Sequence, residues 1–481
     1  MDPKIAGKGG LGGPVYFPSD ETLSGIRKDL SVWIGTKAAS EMDLRPLASS
    51  SKTPEPALLY LPYPYVVPGG RFNEMYGWDS YFIVLGLLHD GETEIAKDMA
   101  NDALYEIRHY GKILNANRTY YLTRSDPPFM TEMVLAVYGK TKDLAWLRKA
   151  EPLLERYYLF WTKGPHEVAA TGLSRFYDEG DTPAPEVLSA EKGADGRDYY
   201  QNVRAAFKSG KMPVRGSRPY YDAKTGALTP FFYRSDRSMR ESGFDISERF
   251  GPFNMGVLDY NPVGLNALLY RMERDMAEIE KDLGRSDKAA PWIERARSRR
   301  RRVDKYMWDK KAGLYYDYDY VRGERRRYPF LTTFYPLWAG MASARQAARV
   351  RANLPIFERA GGLRTSAMET GFQWDSPFGW APLEWISVRG LRRYGYNRAA
   401  DRISINFLSL VLKEFLSQGT VVEKYDVVRR TSSVGARIKF GYHSNEIGFG
   451  WTNAVFELLD SDLPAAAKSK VLRLAGVGIG S

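Results

Sequence analysis

The sequence predicts an all-α protein, a toroid of helices whose long connecting loops build a site at one end. Apolar residues recur at helical spacing in three separate regions: Ile95, Met99, Ala103 and Ile107; Leu265, Leu268, Leu269, Met272, Met276 and Ile279; and Ile403, Phe407, Val411 and Phe415. Spacings of three and four put each set on one helix face, turned toward a core. Between them run long segments rich in Gly, Pro, Asp and Tyr, such as 182–219 and 361–382. Loops of that length in a compact protein are usually functional. No Pro/Ser-rich linker divides the chain, and no strand–helix–strand alternation suggests a parallel sheet.

With 481 residues, 44% of them hydrophobic and 14% aromatic, the chain is long enough for a large core, in two or three domains or one big toroid. It has no cysteine, which excludes disulfides, thiolate metal sites and cysteine nucleophiles. Its four histidines, His89, His109, His166 and His443, are not paired at metal-ligand spacing and read as surface or loop residues. No metal or other cofactor is expected.

The net charge of +11 raises the question of nucleic acid, and Arg295, Arg297, Arg299, Arg300, Arg301 and Arg302 form the densest basic run. Trp292, Ile293, Val303, Tyr306 and Met307 flank these arginines at helical spacing, so the run reads as the solvated part of an amphipathic helix. No nucleic-acid-binding module accompanies it, and no nucleic-acid partner is expected. No segment is apolar enough to cross a bilayer, and residues 1–13 contain no hydrophobic run. The expectation is a soluble monomer, cytoplasmic or periplasmic, without a membrane partner.

Two segments are furnished for sugar. Pro68-Gly69-Gly70-Arg71-Phe72-Asn73-Glu74-Met75-Tyr76-Gly77-Trp78-Asp79-Ser80-Tyr81 combines glycines, a guanidinium, two carboxylates and four aromatic rings; Gln373-Trp374-Asp375-Ser376-Pro377-Phe378-Gly379-Trp380 repeats the recipe. Rings stack on the weakly apolar pyranose face, while charged groups reach its hydroxyls.

Glycoside hydrolysis needs one neutral carboxylic acid and one carboxylate on the opposite face of the bond. Among 58 acidic residues, two contexts stand out. Arg240-Glu241-Ser242-Gly243-Phe244-Asp245 places Asp245 after a flexible Ser-Gly step, and Val421-Val422-Glu423-Lys424-Tyr425 places Glu423 after an apolar pair. From these residues alone, a helix-capping Asp245 and a salt-bridged Glu423 are equally open.

The two sugar segments resemble the two signature motifs of the trehalases, and the resemblance runs from about residue 58 to 459. It implies an (α/α)6 barrel over 58–481, with 1–57 as an N-terminal extension packed on it. It also implies hydrolysis of α,α-trehalose to two glucoses with inversion, Asp245 as general acid and Glu423 as general base, with Phe244 where the family has Trp. Substrate-binding roles are implied for Arg71, Phe72, Trp78, Asp79, Asn115, Arg124, Asp126, Glu186, Gly243, Trp374 and Glu446, and Asp375 matches the second signature.

Three departures bear on the leaving group. Asp126 replaces a neutral amide; Ala184, in Ala184-Pro185-Glu186, replaces a guanidinium; and a glycine-rich Gly-Glu-Tyr loop gives way to 429–446, where Glu446 is a different acid and Arg429 or Arg430 could substitute. A related α-glucosidase acting on glucosylglycerate or another diglucoside is the alternative, followed by a sugar-binding protein without catalysis.

Overall fold

The computed structural model describes residues 13–47, 55–188, 196–210, 212, 219–438 and 442–477. Parts of the expected N-terminal extension and of the 182–219 loop, together with Phe440 and Gly441, lie outside the described residues.

The first helices are α1 (Leu23–Ile34), α2 (Thr36–Glu41), α3 (Gly77–Asp90), α4 (Thr93–Tyr110), α5 (Met130–Thr141) and α6 (Leu144–Thr162). A long excursion then carries α7 (Pro185–Leu188), α8 (Tyr199–Lys208) and α9 (Pro230–Glu241). The remainder folds as α10 (Val263–Asp282), α11 (Ser286–Tyr306), α12 (Tyr335–Trp338), α13 (Ala344–Ala352), α14 (Leu354–Phe357), α15 (Ala381–Arg393), α16 (Asn397–Gln418), α17 (Gly450–Ser461) and α18 (Ala465–Leu474).

Six of these close a ring: α3 packs on α5, α5 on α10, α10 on α12, α12 on α15, α15 on α17, and α17 back on α3. Each is followed in the chain by a second helix, namely α4, α6, α11, α13, α16 and α18. Of these, α4 bridges α3 and α5, α6 bridges α5 and α10, α11 lies on α10, and α16 bridges α15 and α17. This is the (α/α)6 toroid.

Burial patterns follow from the two layers. In α3 every residue from Trp78 to Val84 is buried, because a ring helix is covered on all sides. In α11 only Ala289, Trp292, Ala296, Arg299 and Val303 are buried, a single stripe. The 265–279 stripe is wholly buried, whereas Ile95 is only partly covered and Phe415 is 44% exposed at the frayed end of its stripe.

The basic run on α11 is solvated as expected, except for Arg299. Its guanidinium is buried, donating from Nε to Glu273 Oε1 (2.8 Å) and from Nη1 to Asn266 Oδ1 (3.0 Å), while Tyr158 Oη donates to the same Glu273 oxygen (2.8 Å). A carboxylate inside α10 requires that cation.

The N-terminal segment adds a parallel sheet in which β1 (Val15–Phe17) lies between β2 (Leu44–Pro46) and β3 (Leu58–Leu59). Phe17, Ile26, Leu44 and Tyr60 pack together against Tyr105 of α4. Among the described residues no helix is long and apolar enough to cross a membrane.

Connections from ring helix to outer helix are short: two residues join α3 to α4 and α5 to α6, and three join α10 to α11 and α15 to α16. The long loops all precede ring helices. Ring helices therefore share a direction, and their N-terminal ends meet at one mouth with the loops around it.

Two stability predictions follow from buried charge. Burial pushes Glu106 of α4 up to about 8, although Leu114 N donates to it. A carboxyl with a raised folded-state pKa stabilises fully below its unfolded value, and that contribution is lost as pH rises through about 8. By calorimetry, Glu106→Gln should lose less Tm than the parent between pH 5 and 9. Arg299→Met should cost about 3–5 kcal/mol in urea unfolding, because it strands Glu273, and Glu273→Leu in the same chain should recover part of it.

Candidate active site

Every segment singled out in the sequence leads into a ring helix at this mouth. The first signature runs into α3, the 111–128 segment into α5, Asp245 lies between α9 and α10, the second signature enters α15, and Glu423 and Glu446 precede α17. The first two are stitched together by backbone: Gly77 N donates to Asn115 O (3.2 Å) and Asn115 N to Arg124 O (3.1 Å). Two glycines are sterically required. Gly70 has φ +55° and a Cβ there would lie 2.1 Å from Glu446 Oε2; Gly243 has φ +75° and a Cβ would press on the Trp78 ring at 3.2 Å.

Asp245 follows α9, which starts where the Thr229 hydroxyl caps Phe232 N (3.2 Å) ahead of Pro230. Arg240, in the last turn of α9, donates to both oxygens of Asp236 (3.2 Å each) and from Nη1 to Asp245 Oδ2 (3.3 Å). Tyr199 and Tyr200 donate to Asp236 as well, at 3.0 and 2.8 Å. Gln373 Nε2 donates to the Asp245 carbonyl (2.5 Å), joining the second signature to this loop. The Asp245 side chain is 37% accessible yet enclosed by protein, as befits a group in a recess. Burial pushes it up to about 6, opposed by Arg240 and Arg124.

Glu423 is buried on the other arm. Tyr442 Oη donates a short hydrogen bond to its Oε1, and Lys424 Nζ donates to Oε2 (2.7 Å). Its backbone is fixed by Glu446 O, which accepts from Glu423 N (2.9 Å), and by Trp451 Nε1, which donates to Glu423 O (3.1 Å). Asp79, in the first turn of α3, relates the two arms. Burial, then the charge of Glu423, then that of Asp245 hold its carboxyl well above the usual range.

Arg71 is oriented by Glu446, which accepts from its backbone N (2.8 Å) and its Nε (2.9 Å), while Arg71 Nη2 donates to Ser444 Oγ (2.6 Å). Phe72 meets Tyr76, Tyr442 and Phe449 edge to face. Arg124 is buried, paired with Glu186 and lying over the Tyr121 ring at 4.6 Å. Burial alone would push Glu186 up, but Arg124, Arg240 and Arg237 outweigh it and hold Glu186 below the usual range. Asn115 is partly exposed at the junction of the first two segments.

Asp126 is buried beneath the start of α3 and accepts from Trp78 N (3.1 Å). Burial, then the nearby Asp79 carboxyl, raises it well above the usual range. Trp78 and Trp374 are 4% and 3% exposed, set in an aromatic floor. Trp380 stacks on Trp374 at 3.7 Å, and Phe244 meets both Trp78 and Trp374 edge to face. Asp375 has both oxygens occupied, by Tyr328 Oη (2.7 Å), Ser366 Oγ (2.6 Å), Glu248 N (3.0 Å) and Thr370 Oγ1 (2.8 Å), so it ties loops together.

Arg429 and Arg430 do not enter the site. Arg429 is exposed, and Arg430 donates to Ala360 O, Ser409 Oγ and Leu474 O among the outer helices. Ala184 is buried, its N donating to Tyr200 Oη (3.0 Å), and Tyr200 connects through Asp236 to the Arg240 guanidinium.

Sequence reasoning missed Arg240, Lys424, Tyr442 and Gln373. Three of them stand inside or beside the quoted motifs; only the folded chain shows which carboxylate each one faces. His166 is also not a surface residue: it is buried against Glu241, which accepts from Ser125 N (3.1 Å) and Tyr177 N (2.6 Å) and so braces the loops that carry Arg124 and Asp178. A buried Glu241 needs a partner able to carry positive charge, and histidine fills that place.

A family model described as trehalase matches residues 35–461. The chain is 39% identical to a cytosolic neutral trehalase of Saccharomyces cerevisiae over 436 residues, covering 82% of this chain and 56% of that protein. It is 36% identical to the cytosolic neutral trehalase of Emericella nidulans, covering 82% and 57%. The chain thus spans just over half the length of these relatives. In three dimensions it superposes on the neutral trehalase Nth1 of Saccharomyces cerevisiae with a TM-score of 0.79 and 31% identity, over 98% of this chain and 92% of that one. A mannosylglycerate hydrolase of Thermus thermophilus shares the fold alone, at TM-score 0.54 and 18% identity, over 82% of this chain and 96% of that one. With those signatures gathered at one mouth of an (α/α)6 toroid, the chain belongs to the trehalase family.

Proposed function

We propose that this protein hydrolyses α,α-trehalose to two glucoses with inversion at the attacked carbon. The observation that carries the reading is the environment of Asp245: Arg240 donates to its carboxyl, burial pushes it up to about 6, and it and Glu423 both act on the Asp79 carboxyl. Asp245 protonates the interglycosidic oxygen, and Glu423 takes a proton from the water that attacks the anomeric carbon. Arg71, Asp79 and Asn115 hold the glucose that is attacked. Arg124, Glu186 and Asp126 hold the leaving glucose, and Arg240 supplies the guanidinium missing at Ala184. The chemistry uses two carboxyls and water, and the protein acts as a soluble monomer.

Proton NMR of purified protein with α,α-trehalose should show equal early release of α- and β-glucose. Asp245→Asn and Glu423→Gln should each lower kcat by about 10²–10⁴-fold. Two β-glucose or two α-glucose molecules at early time, or full activity in either variant, would refute the assignment.

The acid must keep its proton, so kcat/KM should fall as pH rises through about 6. Arg240→Met removes a cation that favours the ionised form of Asp245, so it should move that alkaline limb to higher pH, besides weakening turnover.

A further inference from the structure

The surroundings of Glu423 contain an arrangement that the two-carboxylate scheme does not use. Tyr442 Oη donates to one carboxylate oxygen of Glu423, and Lys424 Nζ donates to the other at 2.7 Å. The phenol ring itself is clasped by two cations: Lys424 Nζ lies 4.0 Å from the ring centroid, and the Arg71 guanidinium carbon lies 4.3 Å from it. Arg71 is in turn held by Glu446 and Ser444, which stand within four residues of Tyr442 in the chain. Lys424 is fully buried, with the Trp380 ring 5.2 Å from its Nζ.

We infer that Tyr442 and Lys424 are positioning residues for Glu423: each fixes one carboxylate oxygen, and the cation-clasped ring ties the alignment of the base to the sugar-facing Arg71. The inference rests on Glu423 being the base. A carboxylate on a short side chain would otherwise sample several rotamers, and only one presents a lone pair to a water on the far side of the anomeric carbon. Two donors on separate oxygens remove that freedom. Cation–π contact on the Tyr442 ring fixes the phenol that does the holding. Because Arg71 contributes one of those cations, the posture of the base depends on the same arginine that orients a glucose.

The charged and titratable groups around Glu423 are Lys424 beside it, Tyr442 from the following loop, Asp79 from α3 and, one step further, Arg71 with Glu446. Tyr442→Phe keeps the ring and its clasp but removes the donor. It should lower kcat on trehalose at least tenfold with KM changed less than threefold. Lys424→Met should show the same split, and Lys424→Arg should recover part of kcat. Circular dichroism and Tm of Tyr442→Phe identify any variant that fails to fold.

Glu423→Gln is the control that separates the two levels. An active Glu423→Gln would overturn the base assignment and this inference with it. An inactive Glu423→Gln beside a Tyr442→Phe with unchanged kcat would overturn the inference alone. So would a Tyr442→Phe whose whole loss lay in KM, since that would make the phenol a sugar contact.

Discussion

Carboxylates held out of water at the mouth of a closed helical ring are the constraint on which the rest of the site depends. Asp79, Asp126, Asp245, Glu186 and Glu423 crowd one recess, and a charge removed from water is costly unless something answers it. The chain answers in two ways. Arg124 and Arg240 hold Glu186 ionised, and Lys424 with Tyr442 takes both oxygens of Glu423. Asp79, in the first turn of α3, and Asp126 beneath it are raised well above the usual carboxylate range, chiefly by burial.

Asp245 lies between these extremes. Arg240 is shared with Asp236, which accepts from its Nε and Nη2 and from two tyrosines, so only a single 3.3 Å contact from Nη1 reaches Asp245. Partial neutralisation leaves burial the winner, and the acid sits near 6, the range in which a carboxyl can still give up a proton close to neutral pH. The Arg240 guanidinium, anchored on α9, reaches the recess beside Asp245, and Tyr200 of α8 links it through Asp236 to the Ala184 backbone.

The toroid supplies the convergence. Short connections at one end of the ring and long ones at the other follow from alternating ring and outer helices, so residues far apart in the chain meet: Arg71 and Glu446 are separated by 375 positions and share two hydrogen bonds. The aromatic floor of Trp78, Trp374, Trp380 and Trp451 supports the loops from below, with Trp380 covering one face of Trp374.

The sequence by itself determined the helices and the identity of the motif residues. Apolar spacing is a local property, and it located α4, α10 and α16; the signatures are short runs whose chemistry can be read without neighbours. What only the tertiary structure decided is the electrical state of those residues. Asp126 read only as a carboxyl in place of an amide until burial beside Asp79 raised it above the usual range; Arg299 read as solvated until Glu273 claimed it; Arg430 read as a candidate substitute, yet faces the outer helices; and His166 proved to be a buried partner of Glu241. Each outcome depends on which groups the fold brings within a few ångströms, and on how much water it excludes. Neither quantity is encoded at any one position of the chain.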